Sequence, residues 1–169
     1  MIAYKFLRRG GIGVFSRFAW PRPDRGARGP WVEAGGLEPC RAGIHACRVS
    51  DLPFWLAPEL WEIELDPQGL VEERTKVVAA RGRLLRRVYG WDERARDDYV
   101  DMCVARAQER IAAVPELERW GDVIEPSRAE GPALLGFVAA RIAEAAAGRD
   151  AWLAERRHQS RWLAERLAL

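Results

Sequence analysis

Near residue 90 the chain changes its hydrophobic period. Before that point apolar residues alternate in short runs bounded by Gly and Pro; after it they recur every three or four positions. "IAYKFL" places Ile2, Tyr4 and Phe6 on one face of a strand. "GVFSRFAW" alternates Val14, Ser16, Phe18 and Trp20 against Phe15, Arg17 and Ala19, which predicts an extended segment partly covered on both faces. "PRPDRGARGP" is a loop, because proline lacks the ladder donor and glycine favours turns. "WVEA" resumes a strand. "IHACRV" is expected to be extended, and a period of two then sends His45, Cys47 and Val49 to one side. Ser50 or Asp51 suits the N-cap of a short helix, "DLPFWLA", with Pro53 tolerated in its first turn. In "ELWEIEL" only one face can be fully buried, and the Trp61, Ile63, Leu65 face is the apolar choice. "TKVVAARGRLLRRVYG" gives one or two further strands after the turn "DPQG".

Helices follow. Asp92 is placed to cap "ERARDDYVDMCVARAQERIAAV", in which Tyr99, Met102, Cys103, Ala107 and Ile111 approximate an i, i+3, i+4 stripe. Pro115 interrupts. A second helix is expected from Pro132 to Ala147, stopped by Gly148, and a third in "RDAWLAERRHQSRWLAERLAL" with Trp152, Leu163 and Leu167 on one side. The pentad "WLAER" occurs twice, but ten residues of helix leave the copies about 80° apart, so they share no face. The fold class is α+β: a twisted antiparallel or mixed β-body with one short helix over 1–88, then about three helices over 89–169. The helices are expected to form a layer packed on the body as one compact unit.

Composition alters the picture in two places. A hydrophobic fraction of 49% and a charged fraction of 31% exclude wholesale disorder. Net charge is only +2, yet seven basic residues face Asp24 alone within 1–31, giving that stretch +6. Such a stretch suits phosphate or an acidic protein surface; solubilising loop arginines are the plainer alternative. Lys5 and Lys76 are the only lysines, a sign of GC-rich coding, so a single arginine carries little information. No apolar run approaches the ~18 residues of a membrane span. "MIAYKFLRRGG" lacks a signal-peptide core, and three cysteines is an odd number, so a soluble cytoplasmic protein with reduced thiols is expected. Glycine-rich phosphate loops, HExxH and GxSxG are absent, which excludes triphosphate hydrolysis, zincin and α/β-hydrolase chemistry.

Four constellations could carry function. Cys40, His45 and Cys47 offer metal-ligand types, but C-x4-H-x-C is no zinc spacing, so no metal is expected and core packing is the simpler role. Cys40 beside Arg41 could serve as a nucleophile with His45 as base, oriented by Asp51, Glu62 or Glu64. Arg17, Arg22, Arg25 and Arg28 interleave with Phe18, Trp20 and Trp31, which would suit single-stranded nucleic acid, and Arg81, Arg83, Arg86 and Arg87 could extend the track. A pI near 8.6 is low for a dedicated nucleic-acid binder, and Trp20 and Trp31 also fit as core anchors. Trp152, Trp162, Leu163 and Leu167 suit docking on the body or a homodimer through the C-terminal helices.

Over residues 2–88 the order "YKFL", "CRAGIHAC", "DLPFWL", "ELWEIEL", "ERTKVVAARGRL" resembles a family of uncharacterised bacterial and phage domains, with elements yK, C-x-x-G-[FI]-H-x-C and [ST]-K-[IV]-x-A. That resemblance implies a shape and no activity. The chain is more distantly similar to the ADP-ribosyltransferase fold, with Tyr4–Lys5 and Gly43–Ile44–His45–Ala46 in the matching places. It lacks an S-T-S motif, and the catalytic acid would have to be Glu62 or Glu64. The leading expectation is a small binding or regulatory module with a cleft around His45, taking a small molecule or protein partner. The competing class is an enzyme. It would be an NAD-dependent transferase holding its cofactor on Tyr4 and Lys5, or a Cys/His catalyst, with His45, Glu62, Glu64 and Cys40 as acid–base groups or nucleophile.

Overall fold

Trp61, Ile63 and Leu65 point the same way along strand β5 (Glu59–Leu65) and are buried, as the apolar alternation requires. Leu60, on the opposite face, is buried too. The computed structural model describes residues 1–24 and 26–169 and divides the chain into two units, Met1–Trp91 and Asp92–Leu169. The architecture is α+β, a curled antiparallel sheet followed by helices. Among the described residues no helix is long and apolar enough to cross a membrane.

In the first unit β5 is central. It pairs with β1 (Ile2–Arg8) on one side and β8 (Arg81–Arg87) on the other, flanked by β2 (Ile12–Gly13) and β3 (Val32–Glu33) in the order β2-β1-β5-β8-β3. A second sheet runs β4 (Ile44–Ala46), β7 (Val77–Ala79), β6 (Val71–Glu72). The two are joined twice. Tyr4 and Cys47 exchange backbone hydrogen bonds of 2.8 and 2.7 Å, and Ala80 alone separates β7 from β8. The curl closes on Ala3, Leu7, Trp20, Ile44, Ala46, Trp61, Ile63, Leu65, Val77, Ala79 and Leu84.

Register also turns Glu59 inward, opposite Leu7. A buried carboxylate needs donors. The left-handed pair Gly10 (φ +84) and Gly11 (φ +75) aims two N–H groups at it, at 3.0 and 3.1 Å. Trp61 Nε1 donates a third bond at 3.0 Å. Burial pushes the Glu59 carboxyl up, but the Trp61 and Gly10 donors and the Arg87 guanidinium hold it below its ordinary pKa.

Two local expectations are corrected. Residues 13–20 form a hairpin tip, with one bridge from Ile12 to Ala19, in place of an extended run. Arg17 takes a left-handed φ of +56, and its N–H returns to the Gly13 carbonyl. The short helix is 3-10 and spans Val49–Phe54, so Ser50 and Asp51 lie inside it. Arg48 precedes it, and the buried Asp51 accepts both the Arg48 N–H (3.3 Å) and its Nε (2.6 Å).

The second unit contains α1 (Glu93–Ala113), a 3-10 segment (Pro115–Val123), α2 (Ile124–Glu130), α3 (Pro132–Ala147) and α4 (Arg149–Leu167). Asp92 caps α1, accepting the Ala95 N–H at 2.8 Å, and Gly148 (φ +81) ends α3. Sequence periodicity did not resolve the 3-10 segment or α2. The helices meet over a polar centre as well as the expected apolar stripe. Glu155 is fully buried on α4, gripped by both Nε and Nη2 of Arg106 and by Arg110. Its neighbour Gln159 accepts from Tyr99 Oη (3.2 Å) and Arg156 (2.9 Å) and donates to the Gly136 carbonyl (2.9 Å). A Cβ at Gly136 would stand 2.5 Å from the Tyr99 hydroxyl, so α1 and α3 close there only over glycine.

Glu155 is buried, whereas Glu165, its counterpart in the second pentad, is exposed. Glu155→Ala strands two guanidinium groups and is expected to destabilise the helical unit by about 3 kcal/mol. Glu165→Ala should change stability by less than about 0.5 kcal/mol. Loss of helical circular dichroism in urea compares them, and equal midpoints would contradict the assignment.

Candidate functional site

Residues 38–42 fold into a tight turn in which Glu38 and Ala42 bridge. At its apex Cys40 adopts φ +68, a conformation costly for a side chain with a Cβ, and its thiol is exposed. His45 holds it there, because its Nε2 accepts the Cys40 backbone N–H at 3.1 Å. The other ring nitrogen, Nδ1, donates to the Gly43 carbonyl at 3.1 Å, so the imidazole is the neutral Nδ1–H tautomer. Burial lowers the His45 pKa, and the positive charges of Lys76 and Lys5 lower it further. Gly43 has no alternative here: its φ is +117, and a Cβ would meet Val78 Cγ1 at 2.5 Å.

β4 then runs extended, with Ile44 and Ala46 in the core cluster, while His45 is half-buried in its own turn. Cys47 is buried, its thiol directed at the Tyr4 carbonyl, and desolvation pushes its pKa far up.

Lysine completes the corner. Lys76 is buried at 6% exposure and donates to Cys40 Sγ, with Glu73 at 3.0 Å on the same ammonium. The Cys40 hydrogen bond, then Glu73, outweigh burial and raise the Lys76 pKa. Lys5, on the core-facing side of β1, donates to the His45 carbonyl at 2.5 Å and lies 4.9 Å from the Trp20 ring centroid. Desolvation of that amine brings its pKa down to about 8. Thus both lysines of the chain converge on one histidine, one through its carbonyl and one through the thiol that it positions. Nothing in the sequence joins the two lysines, which lie 71 positions apart, and no motif marks Lys76 or Glu73 as a site residue. The scarcity of lysine among 27 basic residues was the available signal.

The other candidates fall elsewhere. Tyr4 and Glu62 are cross-strand partners, and Glu62 binds Arg86 at 2.6 Å. Burial, then the Glu62 charge, raises the Tyr4 pKa. Glu64 binds Arg83 (2.8 Å) and Arg28 (3.0 Å), and the Arg83 hydrogen bond holds its carboxyl below the usual range. Strand β1 separates these carboxylates from β4, so Glu62 and Glu64 do not join His45. Arg22 donates to the Gly10 carbonyl at 3.1 Å. Arg25 lies outside the described residues. Trp20 is a core anchor, and Trp31 carries the Arg81 and Arg83 guanidiniums 4.7 and 4.5 Å from its ring centroid. Among the described residues no group of three His, Cys, Asp or Glu is placed to hold a metal ion. The chain matches no family model, no curated protein and no solved structure.

Lys5 gives the corner a pH signature. It releases its proton near pH 8 when folded and near 10.5 when unfolded, so between those values the unfolded chain holds the extra proton and stability climbs with pH. Buried thiols and Tyr4 act in the opposite sense, but they are common to wild type and Lys5→Met. The wild-type urea midpoint should therefore gain on that of Lys5→Met between about pH 8 and about pH 10; parallel curves would contradict an enclosed amine.

Proposed function

We propose that the chain is a small binding or regulatory module, with Cys40, His45 and Lys76 as its responsive element. One observation carries the reading: Lys76 donates to the Cys40 sulfur, while both ring nitrogens of His45 are committed to backbone groups. An exposed thiol facing an ammonium is placed to react with an electrophile or oxidant. Turnover by a Cys/His pair requires an imidazole that takes the thiol proton, and His45 Nε2 already accepts the Cys40 amide N–H. An NAD-dependent transferase draws less support, because Glu62 and Glu64 sit in arginine pairs beyond β1. Three free cysteines fit a reducing, cytoplasmic setting. A small molecule or protein partner would then sense the state of Cys40.

Iodoacetamide tests the corner: sulfur displaces iodide, a C–S bond replaces the C–I bond, and the thiol proton passes to solvent. In the native chain, peptide mass spectrometry should find Cys40 modified well before the buried Cys47 and Cys103. Lys76→Met, checked for folding by circular dichroism, should slow modification of Cys40 by about tenfold. An unchanged rate would remove Lys76 from the element and sink the proposal.

A further inference from the structure

We infer that the hairpin spanning residues 8–22 is a contact surface for single-stranded nucleic acid, a role independent of the thiol corner. The stretch contains Arg8, Arg9, Arg17 and Arg22 and no Asp or Glu. All four are exposed, and among the described residues none is held in an ion pair with a carboxylate. Most other described arginines of the first unit are matched: Arg28 and Arg83 with Glu64, Arg86 with Glu62, Arg87 with Glu59, Arg81 with Glu33, Arg41 with Glu38 and Arg48 with Asp51; among the described residues Arg74 has no carboxylate partner. Apart from Arg74, the uncompensated arginine charge therefore lies along the β2 edge of the sheet, and the 81–87 cluster adds little to it.

Aromatic rings stand on the same edge segment. Phe15 is 84% exposed and Phe18 45%. Phe18 meets Trp20 edge-on, with centroids 5.6 Å apart, and Trp20 is rooted in the core. The tip is braced by its backbone: Gly13 N–H to Phe18 O (2.8 Å), Arg17 N–H to Gly13 O (3.1 Å) and Trp20 N–H to Gly11 O (3.0 Å). Ser16 Oγ accepts the Phe18 N–H at 3.3 Å. At the root, Glu59 binds the N–H groups of Gly10 and Gly11.

A braced edge segment that carries two exposed rings and four guanidiniums unpaired with any described carboxylate has the chemistry of a stacking platform. Unpaired bases lie on the rings while arginines meet the phosphates, and affinity tolerates sequence because every base has a π-face. An anionic membrane fits less well, since interfacial binding scales with buried apolar area and two phenylalanines supply little. An acidic protein surface would match the charge and leave Phe15 without a role.

The test uses the full chain and a fluorescein-labelled oligouridylate of about 12 nucleotides, followed by anisotropy. Three or four phosphate contacts predict a slope of log Kobs against log salt of about −2 to −3. Phe15→Ser, at a fully solvated tip, should weaken binding about tenfold, and Arg9→Glu with Arg17→Glu should weaken it and flatten the slope. Arg28→Gln, which alters a paired arginine, should leave affinity within about twofold. Failure of the oligonucleotide to bind, a neutral Phe15→Ser, or equal affinity for an RNA duplex would overturn the assignment. So would preferential binding to phosphatidylserine vesicles, or equal displacement of the oligonucleotide by polyglutamate.

Discussion

A positive charge on the concave side of a curled sheet must be met by acceptors from the strands that enclose it, or the curl cannot close. Lys5 imposes that condition on the first unit. Its amine takes the His45 carbonyl and the face of Trp20, so one side chain joins β1 to β4 and to the return of the hairpin. Three features follow from the same contact. The sheet edge is carried across by the Tyr4–Cys47 bridge, the thiol turn is tied to β4 through the Cys40 N–H on His45, and Trp20 is pinned as the root of the exposed tip.

Side-chain chemistry explains why this contact is made by lysine in a chain rich in arginine. A planar guanidinium with five donors cannot be satisfied by one carbonyl and one ring, whereas a compact ammonium can, and it can also lose its proton when enclosed. Lys76 shows the same preference, since its ammonium is covered and shared between a sulfur and a carboxylate. Where the chain needs a cation at the surface it uses arginine, often against glutamate across a strand, as at Glu62–Arg86 and Glu64–Arg83.

Much of the fold was legible in the chain because the relevant forces are local. The buried face of β5 follows from alternation, the start of α1 from Asp92, and the limits of α3 from Pro132 and Gly148. Alternation misled at residues 13–20, where Phe15 and Phe18 look like strand residues. A left-handed Arg17 and the return to Gly13 make a tip, and neither is encoded by hydrophobic period. The inward-facing Lys5 and Glu59 were also hidden, because each is acceptable only through partners brought in by tertiary pairing. The site was legible in half: Cys40 and His45 are neighbours in sequence, while Lys76 reaches them only through the pairing of β4 with β7.

The helical unit carries a different kind of information. Apolar cores tolerate sliding, since one leucine can replace another along a seam, but the Arg106–Glu155–Arg110 clasp does not. Advancing α4 by a single residue would rotate Glu155 through about 100° and move it about 1.5 Å along the axis, away from both guanidiniums. The clasp therefore works as a key between α1 and α4, selecting one alignment from several that hydrophobicity alone would permit. Exchange of one aliphatic residue for another of similar volume around it leaves that alignment in place as long as the three charged positions are kept.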